Sequence, residues 1–336
     1  MNQSPFPLLN TIGNTPLVPL LKITADHPGI ELFAKLEFMN PGLSIKDRIV
    51  RHILDKAEQS GELQPGGTIV ENTSGNTGAA TAMIGALKGY KVILTMPDKV
   101  STEKQNSLKA YGAEVRVFPT TSEPGTPNHY VQAALDLAQE LGAFRINQYD
   151  NHINPEAHYL TTGPEIWNQM DHDVDVFVSS GSTGGTITGT GGYLKEKNTS
   201  IQIVMPDPIG SIYYHYWKTG QEDPSKIGTY EVEGVGEDHL AKAIDFSVID
   251  EVIPFNDEQA FRMGRRLAHE EGILGGGTGG ANVWGALEFA KNYLPEHQKN
   301  HPGKTLRIAT VIPDSGVKYL SKMYNDEWMA KQGYEV

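Results

Sequence analysis

The chain has 336 residues and not one cysteine. Disulfides, a thiolate nucleophile and Cys-ligated zinc, iron–sulfur or haem are therefore excluded. If sulfur is handled here, it belongs to a substrate. Basic runs are also missing: 28 Lys and Arg stand against 41 Asp and Glu, a net charge of −13. Nucleic acid is not an expected partner, because phosphate contacts need clustered cations. No apolar stretch approaches the ~18–20 residues that span a bilayer, so no membrane is expected either. The opening MNQSPFPLLN lacks a basic segment followed by an apolar one. A secretory leader is not expected, and a cytoplasmic location follows. Neither a repeat of ~20–50 residues nor a low-complexity tract is present.

What is there is glycine and proline in quantity, 36 and 20 residues, with 38% hydrophobic residues. That composition suits a folded, loop-rich chain long enough for two lobes. Strand-like and helix-like stretches alternate, which predicts α/β architecture with a largely parallel sheet. Over residues 31–39, Leu32, Ala34, Leu36 and Phe38 fall on one face with the period of a strand. After the turn at residues 40–43, Ile45, Ile49, Val50, Ile53, Leu54 and Ala57 recur at helical spacing, and Ser44 with Asp47 reads as a capping box. A further strand is expected over 144–147, with a domain change near residue 150. The stretch 220–228 reads as an exposed polar loop.

Three units share a design of strand, glycine-rich turn and helix. Residues 68–71 lead into Thr73-Ser74-Gly75-Asn76-Thr77-Gly78. Residues 174–178 lead into Gly181-Ser182-Thr183-Gly184-Gly185-Thr186, and 273–274 lead into Gly275-Gly276-Gly277-Thr278-Gly279-Gly280. In such turns, backbone N–H groups at a helix N-terminus face outward and suit an anion. Glycines at strand–helix turns also serve tight geometry alone, so one such turn says little. Neither a dinucleotide fingerprint nor a P-loop is present: Gln298 stands where the first glycine before Gly303-Lys304-Thr305 would be.

Lys46 lies in the first turn of its helix, where the positive end of the dipole and Arg48 disfavour its charge. A lysine prepared this way can form a Schiff base with an aldehyde, although a solvated helix lysine has the same pattern. The histidines lack metal spacing: a proline lies between His152 and His158, and His269-Glu270-Glu271 has no second histidine. They read as surface or substrate-adjacent residues, and no metal is expected. The run Tyr213-Tyr214-His215-Tyr216-Trp217 is either a partner or ligand wall or, more plainly, a packed aromatic cluster.

Taken together, the ordered motifs are specific. The segment NPGLSIKDR at 40–48, then TSGNTG at 73–78, Gln148-Tyr149, STGGT at 182–186 and GGGTGG at 275–280 resembles the cystathionine β-synthase/cysteine synthase family. The likeness runs from GNTPL at 13–17 to Pro313-Asp314-Ser315. Residues 230–238 (YEVEGVGED), 154–159 (NPEAHY) and 325–328 (NDEW) are closer to the catalytic core of cystathionine β-synthase. The first of these is similar to the segment that closes over the active site in that subgroup.

The resemblance implies a pyridoxal 5′-phosphate enzyme of fold type II, tryptophan synthase β-like, with two lobes each built on a mostly parallel sheet flanked by helices. A smaller lobe would span 42–152 and a larger one 10–41 with 153–336. Neither haem nor regulatory domains are expected. Lys46 would hold the cofactor and move the α-proton. Asn76 would bond the ring oxygen, Ser182, Thr183, Gly184, Gly185 and Thr186 would cradle the phosphate, and Thr278 would meet the pyridine nitrogen. Thr73, Ser74, Gly75, Thr77 and Gln148 would bind the amino-acid carboxylate, with Tyr149, Gly234 and Glu237 near a second substrate. The implied reaction is β-replacement on serine or an O-activated serine by a thiol, homocysteine giving cystathionine. Cysteine synthase from O-acetylserine and sulfide, an amine nucleophile acting on O-phosphoserine, and a catalytically idle amino-acid- or partner-binding relative are the rivals. Amino-acid substrates and a homodimer complete the expectation.

Three positions depart from the family pattern. Leu43 replaces a glycine common beside the cofactor. Ser182 replaces the first glycine of the phosphate turn, adding a donor or restricting φ. Glu237 replaces a tyrosine of some cystathionine synthases, where it would meet a substrate ammonium or remain a solvated acid.

Overall fold

The computed structural model describes residues 4–73, 75–123 and 125–336. In chain order the strands are β1 (Leu17–Pro19), β2 (Ile30–Leu36), β3 (Thr68–Asn72), β4 (Lys91–Pro97), β5 (Glu114–Phe118), β6 (Val176–Val178), β7 (Gln202–Pro208), β8 (Glu251–Phe255) and β9 (Leu306–Ile312). The helices are α1 (Lys46–Ser60), α2 (Asn76–Lys88), α3 (Thr102–Ala110), α4 (Tyr130–Leu141), α5 (Ile153–Leu160), α6 (Thr162–Gln169), α7 (Gly185–Lys197), α8 (Tyr213–Thr219), α9 (Asp257–Glu271), α10 (Gly277–Asn300) and α11 (Asp326–Gln332). The chain divides into two compact units. One is Asn40–Ile153 with the segment ending at Gly13, and the other is Asn14–Met39 with Asn154–Val336.

The first unit is built on a parallel sheet ordered β3-β4-β5. One face packs Val70 and Ile93 against Ala134 and Ala138 of α4. The other packs Val92, Leu94 and Met96 against Ala82 of α2 and Leu108 of α3. Residues of a strand point alternately to the two faces, so a sheet covered on both sides reads as a nearly continuous apolar run, as VILTM does in β4. The strand expected over 144–147 is a single parallel bridge from Phe144 to Ile69. The chain then bends at Asn147, whose φ of +49° breaks the extended path.

The second unit carries a six-stranded sheet ordered β1-β2-β9-β6-β7-β8. Only β1 runs antiparallel to its neighbour; the other pairings are parallel. Leu32, Val204, Ile308 and Leu287 share one core, while Phe177, Ile203, Met205, Ala309 and Val311 share the core on the opposite face. Each such large apolar side chain removed from water contributes roughly 1.5–3 kcal/mol before entropy is counted. The architecture is therefore α/β, with mostly parallel sheets flanked by helices. No helix among the described residues is long and apolar enough to cross a membrane.

Local differences from the expected elements have physical causes. β2 stops at Leu36, and Glu37–Met39 forms a 3-10 turn that takes Phe38 out of the strand ladder. No strand precedes Gly275, which makes only a bridge to Ser315. The capping box does not form. The N-cap of α1 is Ile45, without a side-chain bond, and the Asp47 carboxylate accepts from the Gly42 N–H at 2.5 Å. Aspartate has a shorter side chain than the glutamate or glutamine that a box employs, and here it serves the turn before the helix.

Candidate functional site

Lys46 is the first residue of α1 and is half-buried, its own N–H donating to Ser44 Oγ at 3.3 Å. The turn that presents it is held by Asp47 on Gly42 and by the Leu43 N–H donating to the Asn40 carbonyl at 2.8 Å. Leu43 sits at φ +61°, a left-handed conformation that costs a branched residue roughly 1–2 kcal/mol and explains why glycine suits the position. Its side chain is exposed.

In the same unit, β3 runs into the turn ahead of α2. The Thr73 hydroxyl accepts from the N–H groups of Gly75 (3.2 Å) and Gly78 (3.1 Å), so it organises the head of α2. Ser74 lies outside the described residues. Asn76 is the first residue of the helix, and Gly75, just before it, has open space where a side chain would be. Thr77, buried in the first turn, donates its hydroxyl to Gln148 Oε1 at 2.7 Å. Thus two expected carboxylate-binding residues, 71 positions apart, do meet. Tyr149 follows, half-buried.

Glu71 is a residue that the motifs did not disclose. It is buried in β3 and accepts from the Asn147 N–H at 3.1 Å, gripping the left-handed bend immediately before Gln148. Burial pushes its carboxyl up to about 7, against the opposing pull of Arg145 and of the backbone N–H groups of Asn147 and Ile146.

In the other unit, β6 leads into the turn ahead of α7. Gly184 has φ +81°, and a Cβ there would run into Ile244, so only glycine fits. Among the described residues, the backbone N–H groups of Thr183, Gly184, Thr186 and Ile187 meet no acceptor. These are the orphan donors of a helix start, gathered on a turn where Gly184 and Gly185 have no room for a side chain, and they fit a phosphate. Thr183 Oγ1 accepts from Asn154 Nδ2 at 3.0 Å, which leaves its hydroxyl hydrogen for a further acceptor. Thr186 Oγ1 lies 3.3 Å from His158 Nε2, whose Nδ1 lies 2.9 Å from Thr162 Oγ1. His158 is buried behind the turn, contrary to the reading of it as a surface residue. His152 and His269 are exposed.

The Ser182 hydroxyl donates to Glu237 Oε1 at 2.5 Å, while the Ser182 carbonyl accepts from the Tyr213 hydroxyl at 2.5 Å. Tyr213 is fully buried and stacks edge-on with Phe246, so the aromatic run is partly core and partly a support for the turn. Glu237 is thus neither a solvated loop acid nor unengaged. Its neighbours Asp238 and His239 pair with each other at 2.9 Å on the exposed side. Thr278, buried in the first turn of α10, donates its hydroxyl to the Glu233 carbonyl at 2.9 Å, and Gly234 lies exposed beside it at φ +82°. Nearby, buried Asp207 accepts from the Tyr214 N–H at 2.9 Å, and desolvation pushes its carboxyl up to about 7.

Comparisons with known proteins bear on this arrangement. The model of the family described as "Pyridoxal-phosphate dependent enzyme" matches residues 8–302. Cystathionine beta-synthase of Apis mellifera is 40% identical over 97% of this chain and 63% of its own. That of Saccharomyces cerevisiae is 40% identical over 96% of this chain and 64% of its own. The chain therefore spans a little under two thirds of the length of these curated relatives. Among solved structures, an O-ureido-L-serine synthase superposes with a TM-score of 0.84 at 32% identity, covering 96% of this chain and 98% of that one.

Proposed function

The chain belongs to the pyridoxal-phosphate-dependent enzymes, and from that premise we propose that it catalyses β-replacement on L-serine or an O-activated serine with a thiol, homocysteine giving cystathionine. The bound cofactor supplies conjugation that takes up the charge left at the α-carbon when its proton departs. The chain's own residues do the rest. The turn at 182–186 binds the phosphate through its first-turn N–H groups and the hydroxyls of Thr183 and Thr186. Asn76 bonds the ring oxygen. The Thr73–Gly78 turn, with Thr77 and Gln148, orients the amino-acid carboxylate. Lys46 Nζ would hold the cofactor and, when free, would take the α-proton. The β-oxygen leaves as water, or as the acid anion of an activated serine, the thiol gives up its proton as its sulfur bonds to the β-carbon, and Lys46 returns a proton to the α-carbon.

The observation that carries β-replacement is Thr278. Its hydroxyl here donates to the Glu233 carbonyl; turned instead to the ring nitrogen it would offer a neutral donor, which cannot hold that nitrogen fully protonated as a carboxylate would, and a milder electron sink favours elimination over racemisation. Homocysteine is preferred as nucleophile because 230–238 resembles the closing segment of cystathionine β-synthases. The second reading is another nucleophile on the same serine-derived scaffold. Sulfide with O-acetylserine would give cysteine, and the synthase of O-ureido-L-serine makes such a change of partner concrete. Amino-acid substrates, a homodimer and a cytoplasmic location belong to the same proposal.

The test is the absorbance spectrum of the purified protein during successive additions of serine, O-acetylserine, and then homocysteine or sulfide. A visible cofactor band that shifts with the serine compound and returns with homocysteine supports the first reading. Return with sulfide alone moves the assignment to cysteine synthesis. Absence of any band after incubation with pyridoxal phosphate sinks both and favours a catalytically idle binding relative.

A further inference from the structure

Two departures from the family pattern, Ser182 and Glu237, lie 55 positions apart and hydrogen-bond to each other. Glu237 ends a short strap, residues 233–237, tied at both of its ends. At one end the Thr278 hydroxyl donates to the Glu233 carbonyl at 2.9 Å. At the other, the Gly236 N–H donates to the Gly181 carbonyl at 2.6 Å and Ser182 Oγ reaches the Glu237 carboxylate. The Glu237 backbone is fixed as well, its N–H donating to Ser211 Oγ at 3.2 Å and its carbonyl accepting from the Ile212 N–H at 3.0 Å. Gly234 and Gly236, with φ of +82° and +62°, permit the bends between these ties. The strap therefore holds the side chains of both Ser182 and Thr278, the hydroxyls expected at the two ends of the cofactor.

We propose that Ser182 and Glu237 form a latch that fixes the strap on the turn ahead of α7, with Ser182 serving the strap and not the phosphate. Glu237 is then a positioning residue that acts through Ser182. The Glu237 side chain is 16% exposed, so the hydrogen bond to its carboxylate is only weakly screened. The backbone N–H groups of Thr183, Gly184, Thr186 and Ile187 remain for the anion, whereas the Ser182 hydroxyl hydrogen already has its acceptor. The latch stands on the contacts described; its bearing on the cofactor rests on the proposed function, so the two are measured separately.

The experiment uses the full chain as Ser182→Ala, Glu237→Ala, the double variant and Glu237→Gln. One readout is hydrogen exchange of the amides in 230–238, and the other is the dissociation constant for pyridoxal phosphate by equilibrium dialysis. A latch predicts about tenfold faster exchange in either alanine variant, the scale of a lost charge-assisted hydrogen bond. Cofactor affinity shifts by the same factor in both, the double variant adds nothing, and Glu237→Gln, which keeps an acceptor, restores most of the protection. Additive effects in the double variant would overturn the proposal. So would weaker cofactor binding in Ser182→Ala alone with 230–238 unchanged, which would make Ser182 a direct phosphate donor. Failure of the unaltered chain to take up pyridoxal phosphate defeats the proposed function, while the exchange data still decide the latch.

Discussion

A lysine at the first position of α1 and a leucine three residues earlier face opposite demands. Lys46 is the residue proposed to hold the cofactor because its residue type, its place after a turn and the ordered motifs around it agree. Replacing it with alanine is expected to lower turnover by at least ~10²–10⁴-fold while the folded chain and its melting temperature stay nearly unchanged. Steady-state rates and a thermal melt on the same preparation check this, and near-normal turnover would remove Lys46 from its role. Leu43 asks for the reverse treatment. Its exposed side chain buries little, while its φ of +61° costs energy that glycine avoids. Glycine also frees the unfolded chain, which offsets part of the gain. Leu43→Gly is therefore expected to stabilise the protein by about 0.5–1 kcal/mol in urea unfolding, and a loss of stability would show that the leucine packs to some purpose.

At the scale of elements, the three glycine-rich turns could be read from their composition, because Gly, Ser, Thr and Asn before an apolar helical run have few other uses. What supports the turns could not. Asn154 bonds Thr183 from 29 positions away, His158 meets Thr186 from 28, and Tyr213 meets the Ser182 carbonyl from 31. No local period relates such residues; only the fold brings them together. Phe144 shows the complementary error, since β-favouring residues there make one bridge before Asn147 turns the chain. The grip of Glu71 on that bend has a measurable consequence. Glu71→Ala leaves the Asn147 N–H without its acceptor and loosens Gln148, so the amino-acid KM is expected to rise about tenfold with a smaller change in kcat. Glu71→Gln, which keeps an acceptor, should recover most of the affinity. An unchanged KM in Glu71→Ala would detach this carboxylate from substrate binding.

Across the whole molecule, two buried carboxyls shape the response to pH. Glu71 and Asp207 are both pushed up to about 7 by desolvation, whereas their unfolded values stay near 4.5 and 3.8. Between those limits the folded chain holds more protons than the unfolded one. Their contribution to stability is full below the unfolded values, falls as pH rises to about 7, and is flat beyond. The double variant Glu71→Gln/Asp207→Asn should consequently lose less melting temperature than the parent between pH 5 and pH 8. Parallel curves for the two proteins would count against the shifts. Lys35 is a different burden: fully buried in β2, it lies 2.8 Å from Glu165 and donates to the Thr15 carbonyl and Gln169 Oε1, both at 2.9 Å. Lys35→Ala strands those partners and is expected to cost ~3–5 kcal/mol in denaturant unfolding. The strand carrying Lys35 also sets a timetable for synthesis. β2 pairs with β9, matching Ile30 with Leu306, so its ladder waits until residue 306 and those after it have left the ribosome. Asn40–Ile153 contains its own sheet and is complete far sooner. Nascent chains halted between these points should show protease-resistant 40–153 alongside a still-cleavable 14–39, an order of assembly imposed by where one parallel neighbour lies along the messenger.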